Sequence, residues 1–131
     1  MKMTSSLEDY LKTILILQKK NRPVRSVDIA RSMNVSKPSV SYAMKKLVSD
    51  GMIVFDDDGM VSLTESGRTA AENVYNKHEL IGKVLMRIGV SKQTALKDAC
   101  LIEHVISDET YKRLLEFHSD YTVNSRDGMG I

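Results

Sequence analysis

One cysteine among 131 residues excludes an internal disulfide, leaving Cys100 as a small hydrophobe, a reactive thiol, a metal ligand or a site of intermolecular pairing. Long apolar runs are also missing. The stretch Ile14–Leu17 has four residues, against about 20 for a bilayer-spanning helix. The start, MKMTSSLEDYLK, lacks the uncharged core and cleavage site of a signal peptide, so a cytoplasmic location without a membrane partner is expected. What is present, 42% hydrophobic and 27% charged residues, fits a globular chain with one compact domain or a small domain extended by helices. The net charge of +2 is unevenly spread, with eight Lys or Arg against two Asp in residues 19–51 and −4 left for the rest. A basic segment joined to an acidic remainder suits a polyanion-binding face.

Periodicity gives that segment an architecture. Leu7, Tyr10, Leu11, Ile14 and Leu17 recur at helical spacing, predicting an amphipathic first helix. A short second helix fits SVDIARSM, with Ser26 as a cap and Val27, Ile29, Ala30 and Met33 toward a core. After the turn at NVS, a third helix fits SKPSVSYAMKKLVSDG. Ser36 caps it, Pro38 falls in its first turn and Gly51 stops it. MIVF and MVSLT flank an Asp58-Gly59 turn and predict a hairpin. The fold class is therefore mainly α with a small β-hairpin wing: a winged helix-turn-helix over residues 1–64, followed by a helical dimerisation region over 65–120. The second region carries helices starting near Thr64, Ser91 and Ser107, and residues 121–131 are expected to form an irregular tail.

In such a unit the third helix meets DNA with its first turns. Ser36, Lys37, Pro38, Ser39, Ser41 and Tyr42 are the candidate contacts, with Lys45, Lys46 and Arg25 reaching the phosphate backbone. No Arg, Asn or Gln on that face offers bidentate base readout, so shape, methyl contacts and dimer spacing are expected to contribute to specificity. The acidic wing tip, Asp56, Asp57 and Asp58, opposes phosphate contact.

A second constellation lies in DACLIEH, residues 98–104. On a continuous helix Cys100, Glu103 and His104 share one face at i, i+3 and i+4. Thiolate, carboxylate and imidazole are ligands that divalent transition metals accept; the competing reading is a mixture of core and surface residues. His78, on the apolar stripe of the preceding helix, is either a hydrogen-bonded core histidine or a further ligand. Thiol sensing through Cys100 would be compatible with the same residues, as would sensing of a small molecule. An enzyme is not expected, because neither a Gly-rich loop nor an oxyanion motif accompanies Cys100 and His104.

The blocks SLEDYLKTILIL, VRSVDIARSMNVSKPSVSYAMKKLVSDGMI, LTESGRTAAENVYNKHELI and DACLIEHVISDE resemble, in order and spacing, the diphtheria toxin repressor family of metal-dependent transcriptional repressors. The resemblance spans residues 5–120, and the length is similar to that of the short manganese transport regulator branch. It implies a homodimer that binds a double-stranded DNA operator, activated by Mn²⁺ or Fe²⁺, with metal sites between the DNA-binding and dimerisation regions. It further implies Asp9, His78, Glu103 and His104 as metal ligands. Cys100 matches the iron branch, whereas Asp9 matches the manganese branch. Lys12 replaces a glutamate of the manganese branch, and Gly82 and Leu96 replace ligands of the iron branch's ancillary site. The thiolate extends the acceptable ions to Zn²⁺ and Co²⁺.

Overall fold

The computed structural model describes residues 3–20 and 22–126. Six helices and one hairpin follow in the order α1 (Ser5–Lys19), α2 (Ser26–Met33), α3 (Lys37–Ser49), β1 (Ile53–Phe55), β2 (Val61–Leu63), α4 (Glu65–Arg87), α5 (Lys92–Ile102) and α6 (Asp108–Arg126). The chain divides into two compact units, Met1–Val74 and Tyr75–Ile131. The division falls inside α4.

In the first unit, α1, α2 and α3 pack on one another, and α1 and α3 pack on the hairpin. Leu11, Ile14, Ile29, Val40, Leu47 and Ile53 form its fully buried centre. Local chemistry sets the helix limits. Thr4 caps α1 by accepting the Leu7 N–H at 3.2 Å, and Ser36 caps α3 by accepting the Ser39 N–H at 3.3 Å. Asn34 ends α2 in the left-handed region, φ 54°, which asparagine tolerates better than most residues. Gly51 takes φ 74° between α3 and β1, a conformation costly for a side chain. The expected cap of α2 is corrected: Ser26 is its first helical residue, and Arg25 precedes it at the cap position. The Asp28 carboxylate secures this end by accepting the Arg25 N–H at 2.9 Å. Val27, expected in the core, is 43% exposed.

The strands pair antiparallel with Ile53 opposite Leu63 and Phe55 opposite Val61. The Asp56 carboxylate folds the tip, accepting N–H groups from Asp58 and Met60, each at 2.9 Å. The Val61 N–H donates to Val24 at 2.8 Å, which fastens the wing to the segment before α2.

In the second unit, Leu80, Ile81, Ala95 and Ala99 are buried. Gly82 faces Leu96 of α5, whose Cδ2 would lie 3.5 Å from a Cβ at that position, an ordinary contact distance. Lys77 on α4 pairs with Asp108 at 3.7 Å and lies 5.9 Å from the Tyr111 ring, and Arg87 stacks over Phe117 at 4.4 Å. Two expectations change here. First, α6 continues to Arg126, so residues 121–126 are helical where an irregular tail was expected; residues 127–131 lie outside the described residues. Second, α5 stops at Ile102. Val105, beyond its end, is 80% exposed.

Candidate metal centre and nucleic-acid interface

The end of α5 brings the second unit's donors together. Glu103 stands at the helix C-cap, with its N–H still bonded to the Ala99 carbonyl at 3.0 Å. The chain then tightens: His104 N–H reaches Leu101 O at 3.4 Å and Val105 N–H reaches Ile102 O at 3.0 Å. These i to i−3 bonds replace the continuous helix that the spacing suggested. The turn aims the Glu103 side chain inward, and the residue is 2% exposed.

Its carboxylate lies between two imidazoles. Oε2 is 2.9 Å from His78 Nδ1, contributed by α4, and Oε1 is 3.4 Å from His104 Nε2. Cys100 Sγ approaches the same Nδ1 at 3.8 Å. Ligand atoms of His78, Cys100 and Glu103 therefore all fall within 4.8 Å of one another. An ion with bonds of about 2.0–2.3 Å to nitrogen, oxygen and sulfur needs neighbouring donors about 3.3–3.8 Å apart. The three donors fit such an ion with small side-chain adjustments. Glu103 is buried while Cys100 is exposed, giving the cluster an anchored side and an accessible one. The His78 nitrogen that faces Glu103 is also the one that faces the thiol.

Asp9 is on α1 in the first unit. Lys12, one turn later, places Nζ 3.7 Å from Asp9 Oδ1. Sequence reasoning identified Lys12 as a departure from the ligand pattern. It did not identify its burial, 7% exposed, because lysine in a helical pattern reads as surface.

On α3, Val40, Ala43, Met44 and Leu47 are buried. The opposite side carries exposed Ser36, Lys37, Pro38, Ser39, Ser41, Tyr42 and Lys45, with Lys46 half-buried at its edge. Tyr42 is 76% exposed. Ser36 and Ser39 are also engaged with each other, Oγ to Oγ at 2.9 Å, so their first role is to form the helix start. Arg25 has a role the sequence did not indicate. Its Nη1 donates to the Asp58 carbonyl at 2.6 Å, holding the wing tip and placing a cation beside its carboxylates.

Comparisons with known proteins agree with this division of labour. Residues 2–61 match the iron dependent repressor N-terminal DNA binding domain, and residues 64–128 match the iron dependent repressor metal binding and dimerisation domain. An HTH-type transcriptional regulator of Methanocaldococcus jannaschii is 34% identical over 117 residues, covering 88% of this chain and 94% of that protein. The diphtheria toxin repressor of Corynebacterium diphtheriae is 33% identical over 119 residues, covering 90% of this chain and 53% of that one. The solved structure of the manganese regulator SloR superposes with a TM-score of 0.79 at 34% identity, covering 89% of this chain and 55% of SloR. The chain thus spans about half the length of the latter two. With a winged helix-turn-helix before a cluster of side chains that could hold a metal ion, and with similarity along nearly its full length, the chain belongs to the diphtheria toxin repressor family of metal-dependent transcriptional repressors.

Proposed function

We propose that this repressor is activated by Mn²⁺ or Fe²⁺ and that Asp9, His78, Cys100, Glu103 and His104 supply its metal ligands. The observation that carries the reading is the convergence of His78, Cys100 and Glu103. The bound ion supplies positive charge that holds carboxylate, thiolate and imidazole together. Within the second unit, Glu103 orients both imidazoles, and His78 offers Nδ1 to the ion once its proton resides on Nε2. Metal occupancy favours the DNA-binding population, and by linkage DNA tightens metal binding by the same factor.

The protein acts in the cytoplasm as a homodimer on a double-stranded operator. Among the described residues no helix is long and apolar enough to cross a membrane. Leu101, Val105 and Phe117 of the second unit are 57–80% exposed, apolar area that a second copy would cover. In each protomer α3 enters the major groove, with its serines and Tyr42 near the bases and its lysines at phosphates.

Titrating Mn²⁺, Fe²⁺, Co²⁺ and Zn²⁺ into the chelated protein, while following the anisotropy of a labelled operator duplex, tests the proposal. Affinity should rise by about 5- to 150-fold with the activating ion; no rise with any ion refutes it. Cys100→Ser should weaken metal activation, whereas an unchanged response to each metal would remove the thiolate from the ligand set. On DNA, Lys37→Ala and Lys45→Ala should each lower the slope of log affinity against log salt by about 0.9 if each lysine neutralises one phosphate. Unchanged slopes would move the phosphate contacts elsewhere on the unit.

A further inference from the structure

A lysine is seldom buried without a partner, yet Lys12 is 7% exposed and its Nζ lies 3.7 Å from Asp9 Oδ1. The Asp9 side chain is 38% exposed, so its carboxylate stays open to solvent while the ammonium beside it is largely shielded. A shielded cation acts on its neighbours through a lower effective dielectric than a surface lysine does. We propose that Lys12 is an affinity-setting residue: a tethered cation that occupies the Asp9 carboxylate in the metal-free protein and competes with the incoming ion. This rests on the assignment of Asp9 as a metal ligand.

The physical argument has two parts. Coordination by Asp9 weakens or breaks the pair with Lys12, so the metal must offset that lost interaction. An ammonium retained near the site also repels a dication, whose doubled charge makes the repulsion twice that between two single charges at equal distance. Both effects lower affinity, and both require the positive charge at position 12. Lys12 thereby raises the free-metal concentration at which the repressor responds. The residue need not touch the ion to do so.

The test compares wild type, Lys12→Gln, Lys12→Arg, Asp9→Asn and the Asp9→Asn/Lys12→Gln double variant. Mn²⁺ affinity is read by competition with a fluorescent chelator, and Co²⁺ loading by its thiolate charge-transfer absorption. Lys12→Gln should bind Mn²⁺ about tenfold more tightly or better, whereas Lys12→Arg should stay within about twofold of wild type. Asp9→Asn should bind more weakly, and in its background Lys12→Gln should lose most of its effect. If Lys12→Gln does not fold, Lys12→Met, which retains the aliphatic stem, carries the same expectation. Wild-type protein that binds metal with an affinity unmoved or weakened by Lys12→Gln overturns the role of Lys12 while leaving metal binding intact. An undiminished effect of Lys12→Gln in the Asp9→Asn background overturns the competition for Asp9. Wild-type protein that binds neither ion overturns the metal-sensing reading, and the role of Lys12 falls with it.

Discussion

Glu103→Gln should abolish metal-activated operator binding while leaving a folded protein. The substitution preserves size and keeps one acceptor oxygen near the imidazoles. It removes the negative charge that a divalent ion requires from its buried ligand. In the present arrangement the Glu103 carboxylate makes the 2.9 Å contact with His78 and the 3.4 Å contact with His104. One substitution therefore deletes a ligand and loosens the orientation of two others. Loss of an orienting partner alone typically costs 10- to 100-fold in metal affinity, roughly; loss of the ligand as well should cost at least about 100-fold. Chelator competition gives the affinity, circular dichroism the helical content, and anisotropy of the operator duplex the response. Full metal activation in Glu103→Gln would reduce Glu103 to a structural pin between two histidines. Glu103→Ala is the less informative variant, since it also opens a cavity and leaves the imidazoles without their shared acceptor.

The winged helix was legible because its signals are local. Ser36, Pro38 and Gly51 act within a few residues of where they stand, and the Asp58-Gly59 turn lies between two short β-type runs. The end of α5 was less legible for the same reason. CLIEHVI contains neither glycine nor proline, and Ile102, Val105 and Ile106 continue a helical pattern past the point where the backbone tightens into a turn. Spacing thus grouped Cys100, Glu103 and His104 on a helix face, whereas the structure joins Cys100 and Glu103 to His78 through a helix end. Arg25 illustrates a second limit. Its partner, Asp58, is 33 positions away, and nothing in the local sequence before α2 points to the wing carbonyl that it holds. The exposure of Val105 shows a third: an apolar residue in a single chain does not reveal whether its cover is its own core or a second protomer.

Gly67→Ala should destabilise the protein more than any other single methyl added to a described glycine. Gly67 lies in the first turn of α4, directly over the backbone that joins α3 to the wing. Its N–H donates to Thr64 Oγ1 at 3.0 Å, and the same hydroxyl donates to the Gly51 carbonyl at 2.6 Å. Thr64 N–H in turn bonds to the Met52 carbonyl at 3.0 Å. A Cβ at Gly67 would fall 1.9 Å from the Met52 oxygen and 2.8 Å from its carbonyl carbon. The obstacle is backbone already fixed by hydrogen bonds, so no side-chain rotation relieves it. Alanine's better helix propensity returns about 1 kcal/mol, less than the cost of displacing this junction, and a net loss of about 2–3 kcal/mol is expected. For a chain of this size the thermal midpoint should fall by roughly 6–12 °C. Gly82→Ala provides the internal control, because its added Cβ would meet only the Leu96 side chain, at the ordinary contact distance of 3.5 Å. That variant should be neutral or gain up to about 1 kcal/mol. Equal midpoints for the two variants would show that the contact between the start of α4 and Met52 is not a tight junction. A selective loss in Gly67→Ala would identify it as the place where the wing and the long helix α4 are locked together, and metal titration of the same variant would show whether the operator response depends on that lock.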